Sequence, residues 1–232
     1  MTSVAPEDSV VPRELQYKVL VIGEYGVGKT AIIQRYTKGH FSPNYKLTIG
    51  VDFAVKTLTW DAKTKIHLQL WDIAGHERFG QLTRVYYKYA VAALVVFDLT
   101  RASTLDAVAK WVRDVREKVQ ASTGDCSNSS VPVVVLANKC DMAPVTGEAD
   151  QRIHANNIDQ FCRKHSIDAW FLTSAKEDIN IESTMRWLVG HILSVRGRGA
   201  VQTAPPPIAS IKTLAAAAVA DPPIKPASYC CR

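Results

Sequence analysis

Gly23 and Gly28, with Lys29 and Thr30 directly after, give Gly23-Glu24-Tyr25-Gly26-Val27-Gly28-Lys29-Thr30 the spacing G-x-x-x-x-G-K-[ST]. The chemistry this spacing serves is phosphate binding. Glycine lets backbone N–H groups turn inward around an anion, and the N-terminus of a following helix adds positive potential. Lys29 is expected to bridge the β- and γ-phosphates, and Thr30 to offer a hydroxyl to magnesium. Tyr25, Gly26, Val27 and Ala31 complete the expected cradle. An accidental glycine-rich turn is disfavoured by context, because an apolar strand precedes the run and a helix follows it.

A phosphate loop alone does not separate adenine from guanine. Asn138-Lys139-Cys140-Asp141 follows the apolar run Val133–Ala137. The Asp141 carboxylate can accept from both N1–H and the exocyclic amino group of guanine. Adenine, with an acceptor at N1 and no amino group beside it, would leave that carboxylate unpaired. Asn138 and Lys139 are expected to tie this loop to the phosphate loop and to cover the ring. Ser174-Ala175-Lys176 follows the last apolar segment and joins the same site.

Asp72-Ile73-Ala74-Gly75 closes another such segment. Asp72 would hold magnesium through water, and the Gly75 N–H would reach the γ-phosphate. Thr48 is the candidate for a second hydroxyl on magnesium, engaged only when the γ-phosphate is present. Two loops whose order depends on one phosphate make a switch.

The elements that must position these residues follow from hydrophobic pattern. Strands are expected at Tyr17–Ile22, Val51–Trp60, Ile66–Trp71, Ala92–Asp98, Val133–Ala137 and Ala169–Leu172. Leu94-Val95-Val96-Phe97 and Val133-Val134-Val135-Leu136 are continuous apolar runs, as strands buried on both faces of a parallel sheet require. Asp61-Ala62-Lys63-Thr64-Lys65 suits the turn of a hairpin. Leu105, Val108, Val112, Val115 and Val119 mark a helix over Thr104–Gln120, with Ser103 or Thr104 as its N-cap. Ile181, Met185, Leu188 and Ile192 mark the final helix. Ser122–Ser130 reads as a polar surface loop. Strands alternating with helices predict an α/β doubly wound fold.

A chain of 232 residues has room for one ordinary domain and a tail. Its net charge of +6 is modest, and with no arginine-rich arm or aromatic-interleaved basic stretch, nucleic acid is not the expected partner. Five cysteines, an odd number without metal-type spacing, argue against a disulfide framework or a zinc site and fit a reducing cytosol. No segment reaches the roughly 18 to 20 apolar residues of a membrane span, and Met1–Arg13 lacks the apolar run of a signal peptide. After Val195 the composition turns to Ala and Pro without helical period, so a disordered tail is expected.

Together these motifs make the chain resemble a Ras-superfamily small GTPase, specifically a Rab, over roughly Gln16–Val195. The stretches that carry the resemblance are Ile49-Gly50-Val51-Asp52-Phe53, Leu70-Trp71-Asp72-Ile73-Ala74-Gly75, Glu77-Arg78-Phe79 and Arg84-Val85-Tyr86-Tyr87. The resemblance implies a P-loop small G domain at 16–195, a six-stranded mostly parallel sheet flanked by five helices. A flexible N-terminus at 1–15 and a hypervariable tail at 196–232 would flank it. It implies GTP or GDP with magnesium as ligands and hydrolysis of GTP to GDP and phosphate, with Lys29, Gly75 and His76 at the reaction. It further implies that Phe41 stacks on guanine and Tyr45 closes over the phosphates. Phe53, Trp71 and Tyr86 match the aromatic triad that Rabs present to effectors, though ordinary core packing is a compatible reading. Ile73, Ala54 and Glu24 are similar to the branch that serves lysosome-related organelles.

Two positions depart from the family. His76 stands where relatives carry the glutamine that orients attacking water, and an imidazole offers a different set of donors and acceptors. Slow intrinsic hydrolysis is therefore expected, and a chain that holds GTP as a scaffold is the alternative to a hydrolytic timer. Tyr25 replaces a small residue, and its ring would either obstruct an activating arginine or lie over the nucleotide. The final Tyr229-Cys230-Cys231-Arg232 resembles Rab tails that take two geranylgeranyl groups, so Cys230 and Cys231 are the expected lipidation sites. By resemblance the partners are an exchange factor, a GTPase-activating protein, effectors, Rab escort protein and GDP dissociation inhibitor. The protein would be monomeric and shared between cytosol and the cytoplasmic face of an endosomal, lysosome-related or Golgi-derived membrane.

Overall fold

The computed structural model describes residues 13–44, 46–75, 83–123, 131–142 and 153–196. Their elements run β1 (Arg13–Ile22), α1 (Lys29–Lys38), β2 (Val51–Asp61), β3 (Thr64–Ile73), α2 (Thr83–Tyr87), β4 (Ala90–Asp98), α3 (Ser103–Thr123), β5 (Val133–Asn138), α4 (Ala155–Lys164), β6 (Ala169–Leu172) and α5 (Ile181–Arg196). A single 3-10 turn, Cys140–Met142, follows β5.

The six strands form one sheet in the order β2-β3-β1-β4-β5-β6. Only the β2–β3 pair is antiparallel; β1 pairs in parallel with β3 and β4, and β5 with β4 and β6. This is the doubly wound arrangement expected, with helices completing the crossovers between parallel strands. Every residue of β4 and β5 is buried, which is why both read as uninterrupted apolar runs. β2, at the sheet edge, alternates half-buried and exposed residues instead.

The apolar positions expected on the helices are the ones that enter the core. Leu105, Val108, Val112, Val115 and Val119 of α3 and Ile181, Met185, Leu188 and Ile192 of α5 are all buried. Element ends differ more. β1 begins at Arg13, not Tyr17, because polar residues there pair with β3 from Arg13↔Thr64 onward, and three residues of the expected N-terminal arm are strand. The hairpin turn shrinks to Ala62 and Lys63 because backbone pairing extends past the apolar residues to Asp61↔Thr64. Ser103 and Thr104 are the first two residues of α3, and the Thr104 hydroxyl donates back to the Arg101 carbonyl at 2.6 Å. Ser122 belongs to α3, while 124–130 of the expected loop lie outside the described residues. Cys140 and Cys162 are free thiols. Among the described residues no helix is long and apolar enough to cross a membrane.

Candidate functional site

The carboxyl ends of β1, β3, β4, β5 and β6 all deliver loops to one edge of the sheet, where open α/β folds bind ligands. The first is Gly23–Gly28, between β1 and α1. Gly28 sits at φ 99 as the N-cap of α1, with no side-chain cap. A Cβ there would come within 2.3 Å of Asn138 Nδ2, so glycine is required both for the turn and for the approach of the base-reading loop. The uncapped N–H groups of a 10-residue helix are left facing the loop.

Lys29 is buried, and its ammonium donates to the carbonyls of Gly23 and Glu24 at 2.9 Å each. Burial pulls its pKa down to about 8 against the opposing pull of the Asp72 and Glu24 carboxylates. An anion in the cradle would face this ammonium and the helix N-terminus together.

Thr30, Thr48 and Asp72 converge. Thr30 Oγ1 donates to Asp72 Oδ2 and lies 2.9 Å from Thr48 Oγ1, and Thr48 Oγ1 reaches the same Oδ2 at 3.4 Å. Asp72 Oδ1 is buried and has no hydrogen-bond partner among the described residues. Burial pushes the Asp72 carboxyl above its usual range, the Thr30 hydrogen bond and Lys29 opposing. Two hydroxyls and a carboxylate with one oxygen unspent are the hard oxygen donors that magnesium takes, together with water and phosphate oxygens. Gly75 closes this side: a Cβ on it would lie 2.4 Å from the Tyr25 backbone nitrogen, so the loop after β3 runs directly against the phosphate loop.

The base-reading corner is built from three strand ends. Asn138, at the end of β5, is buried and donates from Nδ2 to the Val27 carbonyl at 2.8 Å. Its Oδ1 accepts from Ala175 N–H at 3.3 Å and Thr173 Oγ1 at 3.4 Å. Lys139 takes a left-handed φ of 64 and places Nζ 2.7 Å from Asp98 Oδ2. Asp141 Oδ1 accepts the Ser174 hydroxyl at 2.6 Å, which orients the carboxylate. Arg35 of α1 donates to the carbonyls of Ala175 at 2.8 Å and Lys176 at 2.7 Å, stitching the third loop to the first helix.

Of the expected site residues, Gly23 to Ala31, Thr48, Asp72, Gly75, Asn138, Lys139, Asp141 and Ser174 to Lys176 thus gather at one edge. Val27 is wholly buried in the core, Ala31 and Phe41 pack partly against it, and the Tyr25 ring is 62% exposed. Trp71 and Tyr86 are buried at 2% and 6% exposure and Phe53 is half-buried against Trp71, ring centroids 6.0 Å apart. Such burial belongs to the core-packing reading of that triad. Tyr45, His76, Glu77, Arg78, Phe79, Cys230 and Cys231 lie outside the described residues.

The motifs did not include Asp98, Arg101, Arg35 or Trp111. Asp98 ends the apolar run of β4 and is fully buried; burial alone would raise its carboxyl, but hydrogen bonds from Lys139 and Thr100 hold it below its usual range. An acid closing an apolar strand at the sheet's carboxyl edge was a legible signal. Trp111 Nε1 donates to Glu24 Oε1 at 3.2 Å, a contact across 87 positions that no local pattern announces.

A model of the Ras family matches residues 18–194. The chain is 55% identical to Rab-32 of Homo sapiens over 181 residues, covering 78% of this chain and 76% of that one. It is 52% identical to Rab-32A of Dictyostelium discoideum over 188 residues, 81% and 83% of the two chains. With Rab-7L1 of Homo sapiens it shares 43% over 177 residues, 76% and 82%. The chain therefore belongs to the Ras family and, within it, to the Rab small GTPases of the Rab-32 branch, enzymes that hydrolyse GTP to GDP and act as switches in vesicle trafficking.

Proposed function

We propose that this GTPase holds GTP or GDP across the sheet edge just described, with magnesium, and works as a membrane-anchored switch that recruits effectors. The observation that carries the reading is the junction of Gly28, Asn138 and Val27. The amide that ties the base-reading loop to the phosphate loop occupies the space a side chain on Gly28 would need.

In this reading Asp141 accepts from guanine, Asn138 and Lys139 hold the corner, Ser174 to Lys176 shape its far wall, and Phe41 stacks on the base. Lys29 meets the β- and γ-phosphates. Thr30, Thr48 and Asp72 hold magnesium, with Asp72 Oδ1 as the oxygen that has no other partner among the described residues. Bound there, the ion would neutralise phosphate charge as the bond to the leaving oxygen breaks. Thr48 lies in a loop whose neighbours Leu47 and Ile49 face solvent, so its inward turn rests on its hydroxyl contacts, a sensible place to sense a γ-phosphate.

The domain of the proposal spans 16–195 by motif, with β1 beginning three residues earlier, and 196–232 serve as the tether. Geranylgeranyl groups on Cys230 and Cys231 would anchor it to the cytoplasmic face of an endosomal, lysosome-related or Golgi-derived membrane, since one chain alone binds only marginally. Escort protein, dissociation inhibitor, exchange factor, activating protein and effectors are the corresponding partners; of the triad, half-buried Phe53 is the member open to an effector, while Trp71 and Tyr86 are buried.

His76 favours a second reading, a GTP-holding scaffold whose hydrolysis is too slow to time anything. Single-turnover hydrolysis by wild type and His76→Gln separates the two. Removing a positioned polar group costs roughly 10²–10³ in other enzymes, so the glutamine variant is expected to be faster by up to that factor. Equal rates would return the hydrolytic timer.

A further inference from the structure

The base-reading corner and the phosphate loop are joined twice. Asn138 makes one join. The second runs from Lys139 to Tyr25 through Asp98 and Arg101, which belong to no nucleotide motif. Asp98 Oδ2 receives Lys139 Nζ at 2.7 Å and Arg101 Nε at 3.1 Å, while its Oδ1 is taken by the Thr100 N–H at 2.9 Å and hydroxyl at 2.7 Å. Arg101 then reaches the phosphate loop. Its Nη2 donates to the Tyr25 backbone carbonyl at 2.8 Å, and its Cζ lies 5.4 Å from the Tyr25 ring centroid. A Cβ on Gly26 would meet the same Nη2 at 3.5 Å.

We infer that Arg101 is a positioning residue for nucleotide retention: a strut that fixes the outer edge of the phosphate loop to the base-reading loop through Asp98, and so slows nucleotide release. The inference rests on the guanine-nucleotide reading above. A guanidinium is suited to the task because its planar fork presents donors along two divergent edges at once. Here its Nε meets a carboxylate and its Nη2 a carbonyl 76 positions away. Asp98 is fully buried, and hydrogen bonds from Lys139 and Thr100 keep it ionised, so both cations face a permanent anion. Lys139 and Arg101 share one oxygen of that anion. Displacing either loop therefore strains a charge-assisted bond that the other also uses.

The test is dissociation of a fluorescent GDP analogue from the full chain, chased with excess GDP. Arg101→Ala is expected to raise the release rate about tenfold, the scale of one lost hydrogen bond to a charged group at a half-exposed site. Arg101→Lys keeps a charge near Asp98 but not the fork, and should recover part of the slowing. Single-turnover hydrolysis by preloaded Arg101→Ala should change less than release does, separating retention from chemistry. In a double-mutant cycle with Lys139→Ala the effects should be non-additive. If Arg101→Ala lowers the melting temperature of the GDP-bound protein, Arg101→Lys carries the test. Release by both arginine variants at the wild-type rate overturns the strut. Failure of the wild-type chain to bind the analogue at all overturns the nucleotide reading beneath it.

Discussion

The corner formed by Asn138, Lys139 and Asp141 and the loop carrying Thr48 serve one site and are made in opposite ways. Asn138 is 2% exposed and bonded to the phosphate loop, to Ala175 and to Thr173. Lys139 is clamped to a buried acid, and Asp141 is oriented by Ser174. The loop around Thr48 has Leu47 at 56% and Ile49 at 83% exposure, with Thr48 alone turned inward on two side-chain contacts. Order in the first region comes from many contacts of the fold itself, while the second rests on the contacts of one hydroxyl, which in the proposed reading a bound γ-phosphate would complete. Affinity for the base can therefore be built in permanently and sensitivity to one phosphate left conditional.

The largest effect should come from breaking the permanent corner. Asp141→Asn replaces an acceptor-only carboxylate with an amide whose NH₂ opposes the guanine donors. Guanine-nucleotide affinity is expected to fall by about 100- to 1,000-fold, two charge-assisted hydrogen bonds' worth. Titration calorimetry with GDP checks this, and a fall of less than tenfold would move base recognition elsewhere.

A smaller effect is expected in the conditional loop. Thr48→Ala should lower magnesium-dependent affinity for a non-hydrolysable GTP analogue about tenfold and GDP affinity by under about twofold, because its hydroxyl is engaged in only one state. Equal losses for both nucleotides would make the Thr48 loop as permanent as the corner and erase the contrast.

The smallest effect concerns β1, the strand that leads into the phosphate loop. Lys18 of β1 is buried with Nζ 3.6 Å from the Trp71 ring centroid, and burial depresses its pKa to about 7. Below pH 7 the ammonium is charged in both folded and unfolded chains and adds no pH dependence. Between about 7 and the ordinary value of 10.5 the unfolded chain holds the extra proton, so this group makes stability rise with pH. Lys18→Met should flatten that rise, with its advantage over wild type greatest near pH 7 and shrinking towards pH 10. Thermal melts across that range test it, and parallel pH profiles would refute the assignment.

Much of this molecule was legible from local pattern. Burial on both faces makes β4 and β5 read as apolar runs, and Gly23 and Gly28 of the phosphate loop stand where no side chain fits. Strand ends were less legible, because the polar residues of Arg13–Gln16 and Thr64–Lys65 pair through their backbones, which the hydrophobic pattern does not register. The start of α3 is less legible for a related reason. The Thr104 hydroxyl is occupied with Arg101 and with the Asp98 backbone, contacts that a serine or threonine before an apolar run does not distinguish from a cap.

By itself the sequence determined the fold class and the motif loops that gather at one edge of the sheet, since each is written in spacings of a few residues. Only the tertiary structure decided which loops brace one another. The bonds from Arg35 to Ala175 and Lys176 span 140 and 141 positions, and those from Arg101 to Tyr25 and Trp111 to Glu24 span 76 and 87. Such pairs exist because the strand order brings the carboxyl ends of β1, β4, β5 and β6 side by side. Strand order is a property of the whole sheet, and no short-range pattern carries it.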